Sequence, residues 1–440
     1  MVRVLVTICL MSIASTSGLQ TACAQDSSDG LNGEIDRLTA EIEGKIIAWR
    51  RDVHEHPELS NRETRTAQLV AEHLKSLGLE VQTGIAHTGV VGLLKGGKPG
   101  RVVALRADMD ALPVTERTDV PFASKVRSTY NGRDVGVMHA CGHDAHVAIL
   151  MGVAEVLASV KDDIPGTVKF IFQPAEEGAP RGEEGGASLM VAQGVLVDPR
   201  PEAIFGLHVT SRFHTGQIGY RAKGSMASSD SFSIVVEGTQ THGAVPWRGV
   251  DPITTAAQIV LGLQTITSRQ LDLTASPAVI SVGMIEGGVR SNIIPDDVRM
   301  LGTIRTLDPE MRPKMHERIR HTAETIASAA GAKAKVEIRL GAPVTYNDPD
   351  LVEATVPSLQ RVAGGKQYVV RAPQATGAED FAFYQEVLPG MFYYIGVTPP
   401  EVSLDEAAPN HSPLFYIDEA ALQVGARSLA NVAVDFLMAE

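Results

Sequence analysis

The feature that most constrains the fold is an interruption: a β/α pattern occupies both ends of the chain, and a different pattern lies between them. At both ends of the chain, compact apolar segments that predict strands alternate with amphipathic segments that predict helices. The predicted elements are helices over 34–52 and 62–77, strands Gly89–Leu94 and Val102–Ala107, a helix over 144–160, strands Val168–Gln173, Ala203–Val209 and Phe392–Val397, and a helix over 418–437. This alternation favours an α/β fold with helices on both faces of one sheet.

The interrupting segment has the pattern of a small α+β sandwich. Its predicted elements are strand Asp230–Glu237, a helix over 251–269, strands Ala278–Ile285 and Val298–Thr306, a helix over 309–330 and strand Ala334–Leu340. We therefore predict an α/β domain built from 34–221 and 342–440, with an inserted domain at 222–341. Two domains also suit a chain of 440 residues, since single cores stop growing near ~250 to 300 residues.

The N-terminus has the pattern of a cleavable signal peptide. An apolar run from Val4 to Ala14 follows Arg3 and precedes the small residues Ala22 and Ala24. The run is too short for the ~20 residues that span a bilayer. We therefore predict a signal peptide over 1–24, a secreted or periplasmic location and no membrane span. Cleavage would leave one cysteine, Cys141, so no intramolecular disulfide is expected.

Charge and short motifs exclude several classes of function. The formal net charge is -13 and no basic run occurs, which argues against a nucleic-acid partner. The glycines at 96–100 lack the spacing of a phosphate-binding loop, and a hairpin turn is expected there instead. No Gly-x-Ser-x-Gly elbow occurs, so a serine hydrolase is unsupported.

The segment His139-Ala-Cys141-Gly-His143 carries the first candidate site. In an extended segment these three side chains would point the same way. Thiolate and imidazole together are strong ligands for zinc and similar metals. The alternative is an ordinary helix start capped by Asp144, with its histidines partly exposed.

Further candidates stand at predicted strand ends, where α/β sheets bind ligands. Glu176 and Glu177 follow the strand that ends at Gln173, so one carboxylate can bind a metal while the other moves protons. His208 ends another strand, and His411 precedes the last helix. The alternatives are an acidic loop and satisfied structural histidines.

Taken together, these motifs resemble the aminoacylase, hippurate hydrolase and indole-acetyl-amino-acid hydrolase group of metallo-amidohydrolases. The matching stretches, in order, are 54–60, 105–113, 141–144, 172–178, 206–208, 241–243, 249–253, 291–295, 377–381 and 410–413. The resemblance implies a zinc-exopeptidase-like fold, in which a three-layer catalytic domain (34–221 and 342–440) carries an inserted α+β lid or dimerisation domain (222–341).

The resemblance also implies a set of roles. Two divalent metal ions, zinc or manganese with cobalt or nickel possible, would be held by Cys141, His143, Glu177, His208 and His411. Glu176 would be the general base, and Asp110 would orient a histidine ligand from behind. Asp108 stands where the wider superfamily has a metal-binding histidine. His139 and His146 match no ligand.

On the inserted domain, the resemblance gives His242 a catalytic and substrate-binding role, often in the site of a neighbouring subunit, which implies a homodimer. Asn292 matches a substrate-contacting position. The structural alternatives are that His242 closes a turn with Gly243 and that Asn292 caps a bend. Trp247 replaces the histidine that most relatives carry, and it either packs at the surface or covers an acyl pocket.

The expected function is hydrolysis of the amide bond of N-acyl amino acids or short peptides by a metal-activated water. The alternatives are a carboxypeptidase or dipeptidase at the same site, a cysteine amidase that uses Cys141, and a non-catalytic acyl-amino-acid binding protein. The sequence does not specify the acyl group, the amino acid or the metal.

Overall fold

The structure is a computed structural model that describes residues 30–439. The predicted signal peptide, 1–24, lies outside these residues. The helices are α1 (30–41), α2 (Glu43–Glu55), α3 (Thr64–Ser76), α4 (His143–Ser159), α5 (Gly186–Ala192), α6 (Pro252–Thr265), α7 (Met311–Ala329), α8 (Pro349–Val362), α9 (Ala382–Gln385) and α10 (Ala420–Met438). Within the described range, no helix is long and apolar enough to cross a membrane.

The strands form one large sheet, a second sheet of four strands and three short ribbons. They are β1 (Glu80–Ile85), β2 (Gly89–Lys95), β3 (Lys98–Asp108), β4 (Arg127–Tyr130), β5 (Arg133–Gly136), β6 (Pro165–Gln173), β7 (Ala203–His214), β8 (Ile218–Tyr220), β9 (Lys223–Met226), β10 (Asp230–Glu237), β11 (Thr241–His242), β12 (Ala278–Gly287), β13 (Ile293–Ile294), β14 (Asp297–Thr306), β15 (Lys333–Arg339), β16 (Thr345–Asn347), β17 (Val369–Arg371) and β18 (Gly390–Thr398).

The large sheet has the strand order β1-β2-β6-β3-β7-β18-β8-β17. Its centre, β6-β3-β7-β18, is parallel. β18 is buried along its whole length, as expected for a parallel strand covered on both faces. Helices α2, α3, α4, α8 and α10 share one core with the sheet, and α5 and α9 share another. The α/β prediction is therefore confirmed as a three-layer arrangement.

The inserted segment has its own sheet and its own core. Its sheet is antiparallel in the order β12-β14-β10-β15, and α6 and α7 pack against it. The alternating burial of β10 shows that one face of this sheet is covered. Ile234, Ile259 and Ile319 belong to a cluster separate from those of the large sheet. These elements lie inside 222–341, although the domain limits themselves stay a prediction.

Three local predictions were wrong in detail. The helix over 34–52 is two helices, α1 and α2, because the backbone leaves helical geometry at Ile42 (φ -99°, ψ 5°). The helix over 251–269 ends at Thr265 and continues as a wider π-turn to Gln270. The turn at 96–100 is not a hairpin, since β2 and β3 each pair with β6 rather than with one another.

Candidate metal centre

The candidate site lies at the carboxyl ends of the parallel strands, as expected for an open α/β sheet. Asp108 ends β3, Glu176 and Glu177 follow β6, and His208 lies on β7. A cavity of about 670 Å³ opens there, and its walls include these two glutamates, His208, Cys141 and His411. Segments far apart in the chain thus meet at the carboxyl ends of the central strands.

The structure brings the five predicted ligands together. Donor atoms lie within 4.8 Å of one another in three overlapping groups, which are Cys141 with His143 and His208, Cys141 with Glu177 and His411, and His143 with Glu176 and Glu177. The Sγ atom of Cys141 is 3.3 Å from Nε2 of both His208 and His411. The two groups that share Cys141 form two adjacent clusters around its sulfur.

Backbone contacts fix which ring nitrogens face this cluster. Nδ1 of His143 donates to the carbonyl of Asp110 at 2.8 Å, and Nδ1 of His208 donates to the carbonyl of Val209 at 2.7 Å. In these tautomers each Nε2 carries a lone pair toward the cluster. Nε2 of His143 is buried without a hydrogen-bond partner among the described residues, and Oε1 of Glu177 lies 3.0 Å from Nε2 of His411. A divalent cation would satisfy the His143 nitrogen, so the residues fit a metal.

The electrostatics of the cluster also fit cations. Burial, followed by the carboxylates of Glu177 and Glu176, holds the pKa of the Cys141 thiol well above its usual range. Desolvation holds the pKa of His208 well below its usual range, so this imidazole is neutral. Burial alone would lower the pKa of His143, but Asp108, Asp110 and Glu177 raise it to about 10. A bound cation reverses this balance by favouring the thiolate and the neutral imidazole that act as ligands.

The geometry around Cys141 supports the cysteine-amidase alternative only in part. Cys141 lies within contact distance of His208 and His411, although neither is the neighbouring His143 considered from the sequence. A cysteine nucleophile requires a lowered thiol pKa. Burial, together with the carboxylates of Glu177 and Glu176, raises that pKa instead. The arrangement therefore favours a metal ligand over a nucleophile.

Asp110 positions the two glutamates as well as a histidine. Its carboxylate accepts the backbone N–H of Glu176 at 3.0 Å and that of Glu177 at 3.1 Å, while its carbonyl accepts from His143. Ala175, just before the pair, has a positive φ of 54°. Such backbone strain, of order ~1 to 3 kcal/mol, persists only where the surroundings enforce it. The turn directs Glu177 toward His411 and Glu176 toward His143.

Glu176 lies in a cluster of carboxylates. Its donor atoms group with those of Asp108 and Glu379, and a carboxylate oxygen lies 3.9 Å from Nε2 of His143. Burial, followed by the charges of Glu379 and Glu177, holds the pKa of Glu176 well above its usual range. A carboxyl group with a raised pKa can both accept and return a proton near neutral pH.

The sequence analysis did not identify Arg106, the cation that pairs with this carboxylate cluster. The guanidinium of Arg106, fully buried on β3, donates to Asp108 at 2.7 Å and to Glu379 and Asp380 at 3.0 Å each. Burial raises the pKa of Glu379 to about 7 and that of Asp380 to about 6, although Arg106 opposes both shifts. An arginine inside the apolar segment Val102–Ala107 was the available signal, since charges are almost never fully buried unless paired.

His146 and His139, which matched no ligand, have different surroundings. Nδ1 of His146 donates to Asp108 at 2.6 Å, and its Nε2 accepts the backbone N–H of Val209 at 2.9 Å. His146 therefore supports the residue next to His208. The ring of His139 is buried, and its nitrogens have no partner in the described chain. The extended-segment prediction was wrong, because Gly142 turns the chain at φ 99° and His143 begins α4; Cys141 and His143 still group together, whereas His139 belongs to no such group and does not line the cavity.

The residues predicted on the inserted domain do not line this cavity. His242 is exposed, and its Nδ1 accepts the backbone N–H of Ala244, so it does close a turn. Asn292 is exposed beside it and accepts the N–H of Gly243 through its carbonyl. Trp247 is 76% exposed and is not among the residues that line this cavity. Their predicted roles toward substrate stay predictions.

Comparison with known proteins identifies the family. The family model "Peptidase family M20/M25/M40" matches residues 104–435. Thermostable carboxypeptidase 2 of Saccharolobus solfataricus is 42% identical over 90% of this chain and 96% of its own length. N-acetylcysteine deacetylase of Bacillus subtilis is 40% identical over 89% of this chain and 96% of its own. A crystal structure of a dinuclear metal binding peptidase of the M20 family from Bacillus subtilis has a TM-score of 0.75 at 38% identity, covering 90% and 99% of the two chains. The chain therefore belongs to Peptidase family M20/M25/M40 and is a metal-dependent hydrolase of that family.

Proposed function

We propose that the protein hydrolyses the amide bond of N-acyl amino acids and that it uses two divalent metal ions, zinc or manganese. The observation that carries the proposal is the division between Glu177, whose carboxylate groups with Cys141 and His411, and Glu176, whose carboxylate groups with Asp108 and Glu379 beside His143. A binding protein without catalysis would not need a second glutamate held in this way. The names of the relatives, a deacetylase and a carboxypeptidase, also support cleavage of an amide beside an amino acid.

The bound ions would supply Lewis acidity, which lowers the pKa of water and polarises the amide carbonyl. Cys141, His143, Glu177, His208 and His411 would hold them. Glu176 would take a proton from the attacking water and return it to the leaving nitrogen, which needs a carboxyl whose pKa is raised. Asp110 would keep Glu176 in position through the backbone N–H that it accepts.

The proposal is tested with metal-reconstituted protein and a panel of N-acetyl, N-benzoyl and longer N-acyl amino acids, with unmodified dipeptides as the competing class. Release of the free amino acid from acylated substrates, lost on chelation and restored by metal, is the expected result. Cleavage of dipeptides alone would replace the proposal with a dipeptidase. Elemental analysis of the purified protein identifies the metal.

We also propose a homodimer formed through the inserted domain. Leu261 on α6 is 70% exposed, and Val279 and Ile285 on the edge strand β12 are 41% and 54% exposed. An edge strand flanked by exposed apolar side chains is a template for pairing with another copy. Light scattering would give twice the mass of one chain, and Val279→Lys would reduce it to a monomer.

The predicted signal peptide motivates a last proposal, that the chain is exported. The apolar run from Val4 to Ala14 and the small residues Ala22 and Ala24 support it. N-terminal sequencing of the exported protein should begin at Gln25. Retention of Met1 in a cytoplasmic fraction would contradict it.

A further inference from the structure

Arg212 is the one arginine or lysine among the described residues that line the metal-site cavity. It lies on β7, four positions after His208. Glu176, Glu177, Glu379 and Asp380 line the same cavity. Glu379 and Asp380 are already paired with Arg106, and Glu177 faces His411. Arg212 forms no ion pair with any carboxylate in residues 30–439.

The side chain of Arg212 is held against the cavity wall. Its guanidinium carbon lies 5.4 Å from the ring centroid of Tyr394, and its Nε donates to Oγ1 of Thr210 at 3.4 Å. Tyr394 stands opposite His208 in the register of β18 and β7. Contact with an aromatic face restrains an arginine while leaving its outer N–H groups free to bind an anion. A solvent-exposed cation, restrained by these two contacts, therefore lies on the strand pair that also carries a predicted metal ligand.

We propose that Arg212 determines substrate specificity by binding the free α-carboxylate of the amino-acid half of the substrate. The inference rests on the proposed function, which places an amide at the metal centre and a carboxylate nearby. Planar guanidinium groups match carboxylates through paired hydrogen bonds. The apolar side chains of Met226, Leu340 and Phe383 on other parts of the wall suit an uncharged acyl group. The cavity thus favours substrates with a negative amino-acid end.

The test compares three substrates on the metal-loaded enzyme: N-benzoyl-alanine, N-benzoyl-alaninamide, which lacks the α-carboxylate, and N-succinyl-alaninamide, which carries its carboxylate on the acyl half. Arg212→Gln should lower kcat/KM for N-benzoyl-alanine by about 10- to 100-fold, the effect of losing a hydrogen bond to a charged group. It should leave N-benzoyl-alaninamide within about twofold. Arg212→Lys should recover part of the lost kcat/KM for N-benzoyl-alanine, because lysine restores the positive charge but not the paired N–H donors of the guanidinium. Arg318→Gln, which removes an exposed arginine of α7 outside the cavity, is the control.

Equal losses for acid and amide, or no loss for the acid, would overturn the inference. A loss confined to N-succinyl-alaninamide would also overturn it, by placing the bound carboxylate on the acyl half. If the wild-type enzyme cleaves none of the three, the proposed function fails separately. Calorimetric binding of N-benzoyl-alanine then decides: weaker binding to Arg212→Gln supports the carboxylate site, and equal binding excludes it.

Discussion

Arg106→Met gives the sharpest test of how the site is held together. The guanidinium is fully buried and is the partner of Asp108, Glu379 and Asp380 at 2.7 to 3.0 Å. Methionine fills a similar volume but leaves these carboxylates without a cation. Removing one partner of a buried ion pair costs ~3 to 5 kcal/mol. We expect a loss of at least that size in the free energy of unfolding at about pH 8.

The loss should depend on pH in a defined direction. Glu379 and Asp380 have pKa values raised to about 7 and about 6 in the folded chain. Between the unfolded and the raised folded pKa, the folded chain binds more protons, so stability falls as pH rises. Without Arg106 the pKa values of Glu379 and Asp380 in the folded chain rise further. The pH range over which stability falls therefore extends to higher pH. At about pH 5 both groups are mostly protonated in the folded variant, so the loss should be smaller there than at about pH 8.

Urea denaturation of the metal-free protein, followed by circular dichroism and by the fluorescence of the two tryptophans, Trp49 on α2 and the exposed Trp247, measures this loss. Arg127→Met is the control, because Arg127 pairs with Asp134 at the surface, where both side chains are more than half exposed. Such a pair contributes only ~0.2 to 1 kcal/mol. A loss for Arg106→Met as small as that of the control, or equal losses at the two pH values, would refute the reasoning.

Three further predictions concern the site. Cys141→Ala should remove at least one metal equivalent and abolish activity, and unchanged metal content by elemental analysis would exclude Cys141 as a ligand. Glu176→Gln should keep its metal and lose ~10²- to 10⁴-fold in rate, whereas Glu183→Gln, in the exposed ion pair after the site, should retain activity. Trp247→Ala should change the Michaelis constants of benzoyl and acetyl substrates equally, because Trp247 lies outside the cavity; a selective rise for benzoyl substrates would place it over an acyl pocket.

The strands of the large sheet were predictable where burial on both faces leaves a continuous apolar segment. β6 and β18 are examples, and both were placed from the sequence to within three residues at each end. β1, in contrast, was missed. Its residues, Glu80–Ile85, are mostly exposed, so no apolar pattern marks it. Edge strands are stabilised by pairing with a neighbour, which a local pattern does not record.

The inserted domain was predictable for a related reason. β10 alternates buried and half-buried residues along its whole length, so its period of two is visible in the sequence. The end of α6 was not predictable from apolar spacing. Ile266 continues the buried stripe into the wider π-turn, so the pattern runs past the point where the α-helical hydrogen bonds stop.

The candidate ligand residues were predictable from their chemistry and their motifs, but most of the groups that position them were not. Asp110 was expected to orient a histidine, yet it does so through its backbone carbonyl, and His146 contacts the backbone N–H of Val209; such contacts have no signature in the order of side chains. Arg106 satisfies carboxylates that follow it by more than 270 positions in the chain. Only the fold makes these groups neighbours. A sequence therefore identifies which residues can bind a metal before it identifies what positions them.

The residues of the inserted domain show a second limit of prediction from motifs. His242 and Asn292 matched substrate-contacting positions, yet in one chain His242 on β11 lies beside Asn292, the residue before β13, and both are outside the cavity. Arg212 matched nothing, yet it lines the cavity and forms no ion pair within residues 30–439. A motif preserves the type of residue that a reaction uses, whereas the cavity shows which charge is unpaired where the substrate must lie. The unpaired charge on β7 is therefore the more specific guide to the substrate than the two exposed polar residues.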